Sequence, residues 1–97
     1  MEIEAREARL GGQSLDLTRL EFDLLYMLLL NAGRVQSRER LLEQVWGYDF
    51  AGDTRAVDSA VKRLRAVLRQ AAVEYSRDPQ ADWIETVRGI GYRWRAR

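Results

Sequence analysis

The first stretches of the chain alternate. Ile3-Glu4-Ala5, Ala8-Arg9-Leu10 and Ser14-Leu15-Asp16-Leu17 switch roughly between apolar and polar residues, the period of a half-buried strand. Gly11-Gly12 between the second and third is a hairpin signal. The period then changes. Thr18-Arg19-Leu20-Glu21 fits the S/T-x-x-E capping box, with Thr18 at N-cap and Glu21 at N3. Leu17 and Phe22 occupy the N′ and N4 positions of a hydrophobic staple. The run Leu24-Leu25-Tyr26-Met27-Leu28-Leu29-Leu30 is apolar almost all round, which predicts a central, buried helix. Asn31 and Gly33 tolerate the left-handed conformation and end it.

A second helix is expected after Ser37, a good N-cap, with Glu39 near the positive end of its dipole. Leu41, Leu42, Val45 and Trp46 form its apolar stripe, and Gly47 stops it. The loop Tyr48-Asp49-Phe50-Ala51-Gly52-Asp53 carries two aromatics on a segment expected to be exposed, for packing the loop down or for contact with a partner. Asp53 or Thr54 can cap the third helix. At 100° per residue, Val57, Ala60, Val61, Leu64, Val67 and Leu68 gather on one face. Arg55, Ser59, Lys62, Ala66 and Arg69 gather on the other, flanked by Arg63 and Arg65. Asp58 stands one turn before Lys62 and is expected to pair with Lys62 or Arg55. The most loop-like stretch, residues 75–80, holds the single proline, Pro79. Then Trp83-Ile84-Glu85-Thr86-Val87-Arg88 and Tyr92-Arg93-Trp94 read as two strands, with Gly89-Ile90-Gly91 as their turn and Arg88 at the tip. Trp83 and Trp94 are expected in the core or on a sheet face, and Trp46 in the core.

Composition narrows the chemistry. Ninety-seven residues, 46% hydrophobic and 32% charged, suit one globular domain. There is no Cys and no His, which excludes disulfides, thiolate metal sites and histidine acid–base catalysis. Glu21 with Asp23, and Glu39 with Glu43, are carboxylate pairs of a kind expected on solvated helix faces. No nucleophile with a base and no Gly-rich phosphate loop accompanies them. An enzyme is therefore not expected, and neither is a cofactor or metal. The longest apolar run, residues 24–30, is far short of the roughly 20 residues that span a bilayer. The acidic start shows no signal peptide, and the expected setting is the cytoplasm, without membrane contact.

The net charge of +1 hides an asymmetry. Residues 1–53 carry six Arg against ten Asp/Glu, a net of −4. Residues 54–97 carry nine Arg and one Lys against five Asp/Glu, a net of +5. A basic half is a signal for a polyanion partner, and here the basic residues converge on one helix and one hairpin tip.

Short strands, three helices and a hairpin with a basic tip are the layout of a winged helix-turn-helix. The expected class is α+β, with an N-terminal antiparallel sheet, a three-helix core and a C-terminal β-hairpin wing in one domain, residues 1–97. A helix fits the roughly 12 Å major groove of B-DNA, where Arg and Lys can neutralise phosphates or reach guanine N7 and O6. An Arg on a hairpin tip suits the minor groove.

The chain also resembles the OmpR/PhoB-type effector domain of bacterial two-component response regulators. The resemblance lies in Leu17-Thr18-x-x-Glu21-Phe22-x-Leu24-Leu25 and in Arg34-Val35-x-Ser37-Arg38-Glu39-x-Leu41-Leu42-x-x-Val45-Trp46-Gly47. It continues in Thr54-Arg55-x-Val57-Asp58-x-x-Val61-Lys62-Arg63-Leu64-Arg65 and in Ile84-Glu85-Thr86-Val87-Arg88-Gly89-Ile90-Gly91-Tyr92-Arg93. It implies sequence-specific binding to double-stranded DNA, usually as a dimer on direct repeats, with a recognition helix over about residues 54–70 and a wing over about 84–94. By position, Arg55 and Arg65 resemble phosphate contacts. Ser59, Lys62 and Arg63 resemble groove-facing residues, with Arg63 the candidate for a base edge and Arg69 further along the same basic face. Thr86 and Arg88 resemble wing contacts, Arg88 in the minor groove. Ser37 and Arg38, at the start of the second helix, are candidates for another phosphate contact. The loop Gly47, Tyr48, Asp49, Phe50, Ala51, Gly52, Asp53 resembles the family's transactivation loop, which touches RNA polymerase.

Two departures stand out. Ala56 and Ala60 lie where many members carry polar residues that touch DNA, so fewer direct contacts are expected. Members usually carry an N-terminal phosphorylated receiver domain, and the chain is expected to be an effector domain excised from such a protein. Alone it is expected to be monomeric, and a dimer on DNA. The competing expectation is a winged-helix interaction module that docks RNA polymerase or another protein without binding DNA itself.

Overall fold

The computed structural model describes residues 2–4, 7–10, 13–50, 52–75 and 83–95. Strands β1 (Glu2–Glu4), β2 (Glu7–Leu10) and β3 (Gln13–Ser14) form an antiparallel sheet in that order. Leu10 pairs with Gln13, and the expected turn residues Gly11 and Gly12 lie outside the described residues. Of the third expected strand, Leu15, Asp16 and Leu17 have left the sheet, and Leu15 is buried in the core.

Helix α1 (Arg19–Leu30) starts as its sequence dictates. The Thr18 hydroxyl accepts from the Glu21 N–H at 3.2 Å, and Glu21 Oε1 accepts from the Thr18 N–H at 3.0 Å. Leu24, Leu25 and Leu28 are fully buried. The all-round apolar run is not buried all round, however: Tyr26 and Leu30 are exposed, Leu30 at 65%. Among the described elements α1 packs chiefly on α3, the segment after α2 and one strand of the wing.

The second helix departs further from expectation. Ser37 caps it, its hydroxyl accepting from the Arg40 N–H at 3.0 Å. Helix α2 (Arg38–Leu41) then widens into a π-helical segment, Leu42–Trp46. The Gly47 N–H reaches back to both the Leu42 and the Glu43 carbonyls, and Gly47 leaves the helix at φ 100°. Helix α3 (Arg55–Tyr75) runs five residues beyond the expected end at about residue 70. Its inner face is the predicted one, with Val57, Ala60, Val61, Leu64 and Leu68 buried and Val67 only half-buried. Ala71 extends the stripe by one more turn.

The wing is β5 (Ile84–Val87) and β6 (Gly91–Trp94), paired Ile84 with Trp94 and Val87 with Gly91. The turn is thus Arg88-Gly89-Ile90, with the Ile90 N–H donating to the Val87 carbonyl, and Gly91 is already strand. A two-residue strand that periodicity cannot reveal, β4 (Gln36–Ser37), pairs with β6 through Gln36 with Tyr92 and Ser37 with Gly91. Gly91 is required there, because a Cβ would overlap the Gln36 carbonyl oxygen. The pairing ties the start of α2 to the wing. Ile84, Tyr92 and Trp94 complete the core from the sheet side, and the half-buried Trp83 stacks on Trp94 at 6.5 Å with the planes 10° apart. Residues 76–82, with Pro79, lie outside the described residues.

Candidate nucleic-acid interface

Helix α3 buries one face and offers the other. Arg55, Ser59, Lys62, Arg63, Ala66 and Arg69 are exposed, as the helical spacing requires. Ala60 is buried and Ala56 half-buried, so neither alanine takes a place on the outward surface. At the wing, Thr86 and Arg88 are exposed. Among the described residues no carboxylate pairs with Lys62, Arg69 or Arg88.

Of the arginines expected at DNA, Arg38, Arg55, Arg63 and Arg65 are engaged within the protein. Arg55 forms a fork on Asp53, Nε and Nη2 both reaching Oδ2 at 3.0 and 2.9 Å. Asp53 Oδ1 also accepts from the Arg55 N–H at 2.9 Å, so Asp53 supplies a side-chain acceptor at the start of α3. Those hydrogen bonds hold the Asp53 carboxyl below its ordinary pKa and the Arg55 guanidinium above its own. Arg63 Nε lies 3.1 Å from Glu21 Oε2.

Arg65 serves the wing. Its Nη2 donates to the Ile84 carbonyl and to the Thr86 hydroxyl, each at 2.7 Å, and its guanidinium lies over the Tyr92 ring. One wing residue predicted to face DNA, Thr86, is therefore joined to a helix residue predicted to contact phosphate.

Arg38 belongs to the same junction. Its Nε donates to Asp58 Oδ1 at 2.8 Å, and the Tyr92 hydroxyl donates to that oxygen from the other side. Asp58 thus pairs with Arg38, and not with Lys62 or Arg55 as the helical spacing suggested. Its carboxylate serves the start of α2 and the wing strand. Burial opposes ionisation of Asp58 most strongly, but the hydrogen bonds from Tyr92 and Arg38 outweigh it and hold the carboxyl below its ordinary value. Burial and the bond to Asp58 push the Tyr92 phenol up. The hydrogen bond to Asp58 raises the Arg38 guanidinium. Ser37 spends its hydroxyl on the α2 cap.

Sequence reasoning missed Tyr92, Glu21 and Gln36 as members of this surface's support. Gln36 is buried and its Oε1 accepts from Arg40 Nε at 3.1 Å. Arg93, taken with the basic residues beyond the wing, pairs across the sheet with Glu85, its registered partner. That hydrogen bond lowers the Glu85 carboxyl.

The loop between α2 and α3 divides its aromatics. Phe50 leans towards Trp46, with ring centroids 6.3 Å apart, and its ring occupies the space a Cβ on Gly52 would need. Trp46 is half-buried at the edge of the core. Tyr48 is 81% exposed. Asp49 and Gly52 are exposed, Gly47 half-buried, and Ala51 lies outside the described residues.

Three helices, a short strand tying α2 to the wing, and a C-terminal hairpin define a winged helix-turn-helix domain. The profile of the family described as "Transcriptional regulatory protein, C terminal" matches residues 12–94, and the chain belongs to that family. It is 48% identical over 92 residues to the uncharacterized transcriptional regulatory protein YclJ of Bacillus subtilis, covering 94% of this chain and 37% of that protein. It is 41% identical to the response regulator ArlR of Staphylococcus haemolyticus, covering 95% of this chain and 39% of that one. The chain thus spans less than two-fifths of these relatives. Among solved structures, the Klebsiella pneumoniae RstA DNA-binding domain in complex with the RstA box superposes with a TM-score of 0.70 at 36% identity, covering 92% of this chain and 82% of that one.

Proposed function

We propose that this domain binds double-stranded DNA sequence-specifically and regulates transcription as the output domain of a two-component response regulator. Helix α3 enters the major groove and the wing tip the adjacent minor groove. The observation that carries the reading is the exposed cationic set of Lys62, Arg63 and Arg69 on α3 together with Arg88 at the wing turn, backed by a buried apolar face that fixes the helix. The RstA domain's complex with its box supports it from a relative.

Within this reading Arg63 reads a base edge, while Lys62, Arg69 and Arg55 meet phosphates, Arg55 exchanging Asp53 for the phosphate. Ser59 lies between them on the groove side. Arg65, Thr86, Ser37 and Arg38 act mainly by fixing the wing and the start of α2, and Arg88 enters the minor groove. Tyr48, exposed on the loop, is offered to RNA polymerase. A receiver domain in the full-length protein controls dimerisation on direct repeats, in the cytoplasm at the nucleoid. No helix among the described residues is long and apolar enough to cross a membrane. No catalytic role is assigned to any residue.

Selection of bound duplexes from a random pool tests this. Enrichment of one half-site, repeated at about 10–11 bp, is expected. Affinity for it should fall steeply with salt, by a log–log slope of about −0.9 per phosphate contact. Retention of no duplex at any salt would instead leave a protein-docking module.

A further inference from the structure

Glu21 sits on α1, away from the outward face of α3, yet its carboxylate reaches the candidate base reader. The side chain is only 7% exposed, and its two oxygens are divided. Oε1 is held by the Thr18 N–H in the capping box, and Oε2 lies 3.1 Å from Arg63 Nε. A carboxylate this deep is retained where charge and donors compensate it, and Arg63 supplies the charge. Arg63 itself is 73% exposed, so the ion pair engages the stem end of the guanidinium. The guanidinium is a rigid plane with five N–H donors, and guanine is read by two of them in parallel. A carboxylate at Nε leaves the edge bearing both terminal amino groups for the groove. A long, flexible arginine with such an anchor loses less freedom when it meets a base.

We propose that Glu21 is a positioning residue for sequence recognition: anchored by the α1 capping box, it pre-orients Arg63. Discrimination at one base pair then depends on a residue that does not touch DNA. The inference rests on α3 being the groove-binding helix.

The test is Glu21→Gln in the 97-residue protein. Glutamine keeps an N3 acceptor for the capping box but removes the charge that holds Arg63. Dissociation constants are measured on the selected half-site and on duplexes substituted at each of its base pairs. Glu21→Gln should lose about tenfold discrimination at the base pair that Arg63→Ala also relaxes. Affinity for unrelated duplex should stay level or rise slightly, because a negative charge has gone. The double variant should lose no more at that base pair than Arg63→Ala alone. Uniform weakening on all duplexes would reduce Glu21 to a fold residue and overturn the proposal. Sharper discrimination would make Glu21 a competitor for Arg63, which also overturns it. If the wild type binds no duplex, the DNA-binding reading falls and this inference with it. A second measurement needs no variant. In the free wild-type protein the Arg63 Nε–Hε group should be more ordered by NMR relaxation than those of Arg69 and Arg88. Equal mobility would overturn the anchoring.

Discussion

The Tyr92 hydroxyl on the wing strand donates to the Asp58 carboxylate on α3, at the oxygen that also accepts from Arg38 Nε. One atom therefore joins the start of α2, the recognition-type helix and the wing. Tyr92 is buried, so its hydroxyl has little water to fall back on. Tyr92→Phe should cost about 1.5–3 kcal/mol of unfolding free energy, the net worth of a hydrogen bond to a charged acceptor. Asp58→Ala should cost more, because it strands both donors. Urea denaturation of the two variants checks the order, and equal costs would mean that Arg38 contributes nothing at this oxygen.

The same contact has a pH signature. Asp58 is held below its ordinary value, near 3.9, so its contribution to stability is present above that pH and is lost as pH falls through the folded value. Tyr92 is pushed above its ordinary value, so its contribution is present below about pH 10 and is lost as pH rises towards the folded value. The groups facing Asp58 are Arg38, Tyr92 and, unfavourably, Asp53. Relative to wild type, Asp58→Asn should flatten the acid limb of thermal stability below pH 4. Tyr92→Phe should flatten the alkaline limb above pH 10. Parallel curves for variant and wild type across either limb would remove that group from the linkage.

What the sequence revealed and concealed follows from range. The capping box at Thr18 and Glu21, the Ser37 cap and the α3 core stripe are local patterns, and all three form, the stripe with Val67 only half-buried. The outward Lys62, Arg63 and Arg69 followed from the same periodicity. What the sequence concealed lies between elements. Asp58 has Lys62 four residues on, yet its donors come from 20 residues before and 34 after. Arg65 looked like one more outward cation, but the carbonyl of Ile84 and the Thr86 hydroxyl claim it. Strand β4 is too short to show a period, and its only trace in the sequence is the glycine opposite it at 91. The π-helical widening after Leu41 has no counterpart in the residue pattern.

The glycines of the wing should behave differently. Gly91→Ala places a Cβ against the Gln36 carbonyl and must part β4 from β6, at about 2–3 kcal/mol. Gly89→Ala meets open space and costs only the strain of a left-handed φ of 76°, about 1 kcal/mol. Chemical denaturation ranks them. Amide exchange at Tyr92, facing Gln36, should accelerate in Gly91→Ala alone. The reverse ranking would put the strain in the turn.

Arg65 separates wing placement from charge. Arg65→Lys keeps the cation but cannot satisfy the Ile84 carbonyl and the Thr86 hydroxyl with a planar donor pair. If the contact positions the wing, affinity should fall on every duplex whose minor groove Arg88 enters. Arg88→Ala in the Arg65→Lys background should then cost less than in the wild type, because a displaced wing has less to lose. Binding titrations at fixed salt over the four proteins give the coupling. Additive costs would return Arg65 to the role its sequence position suggested, a phosphate contact independent of the wing.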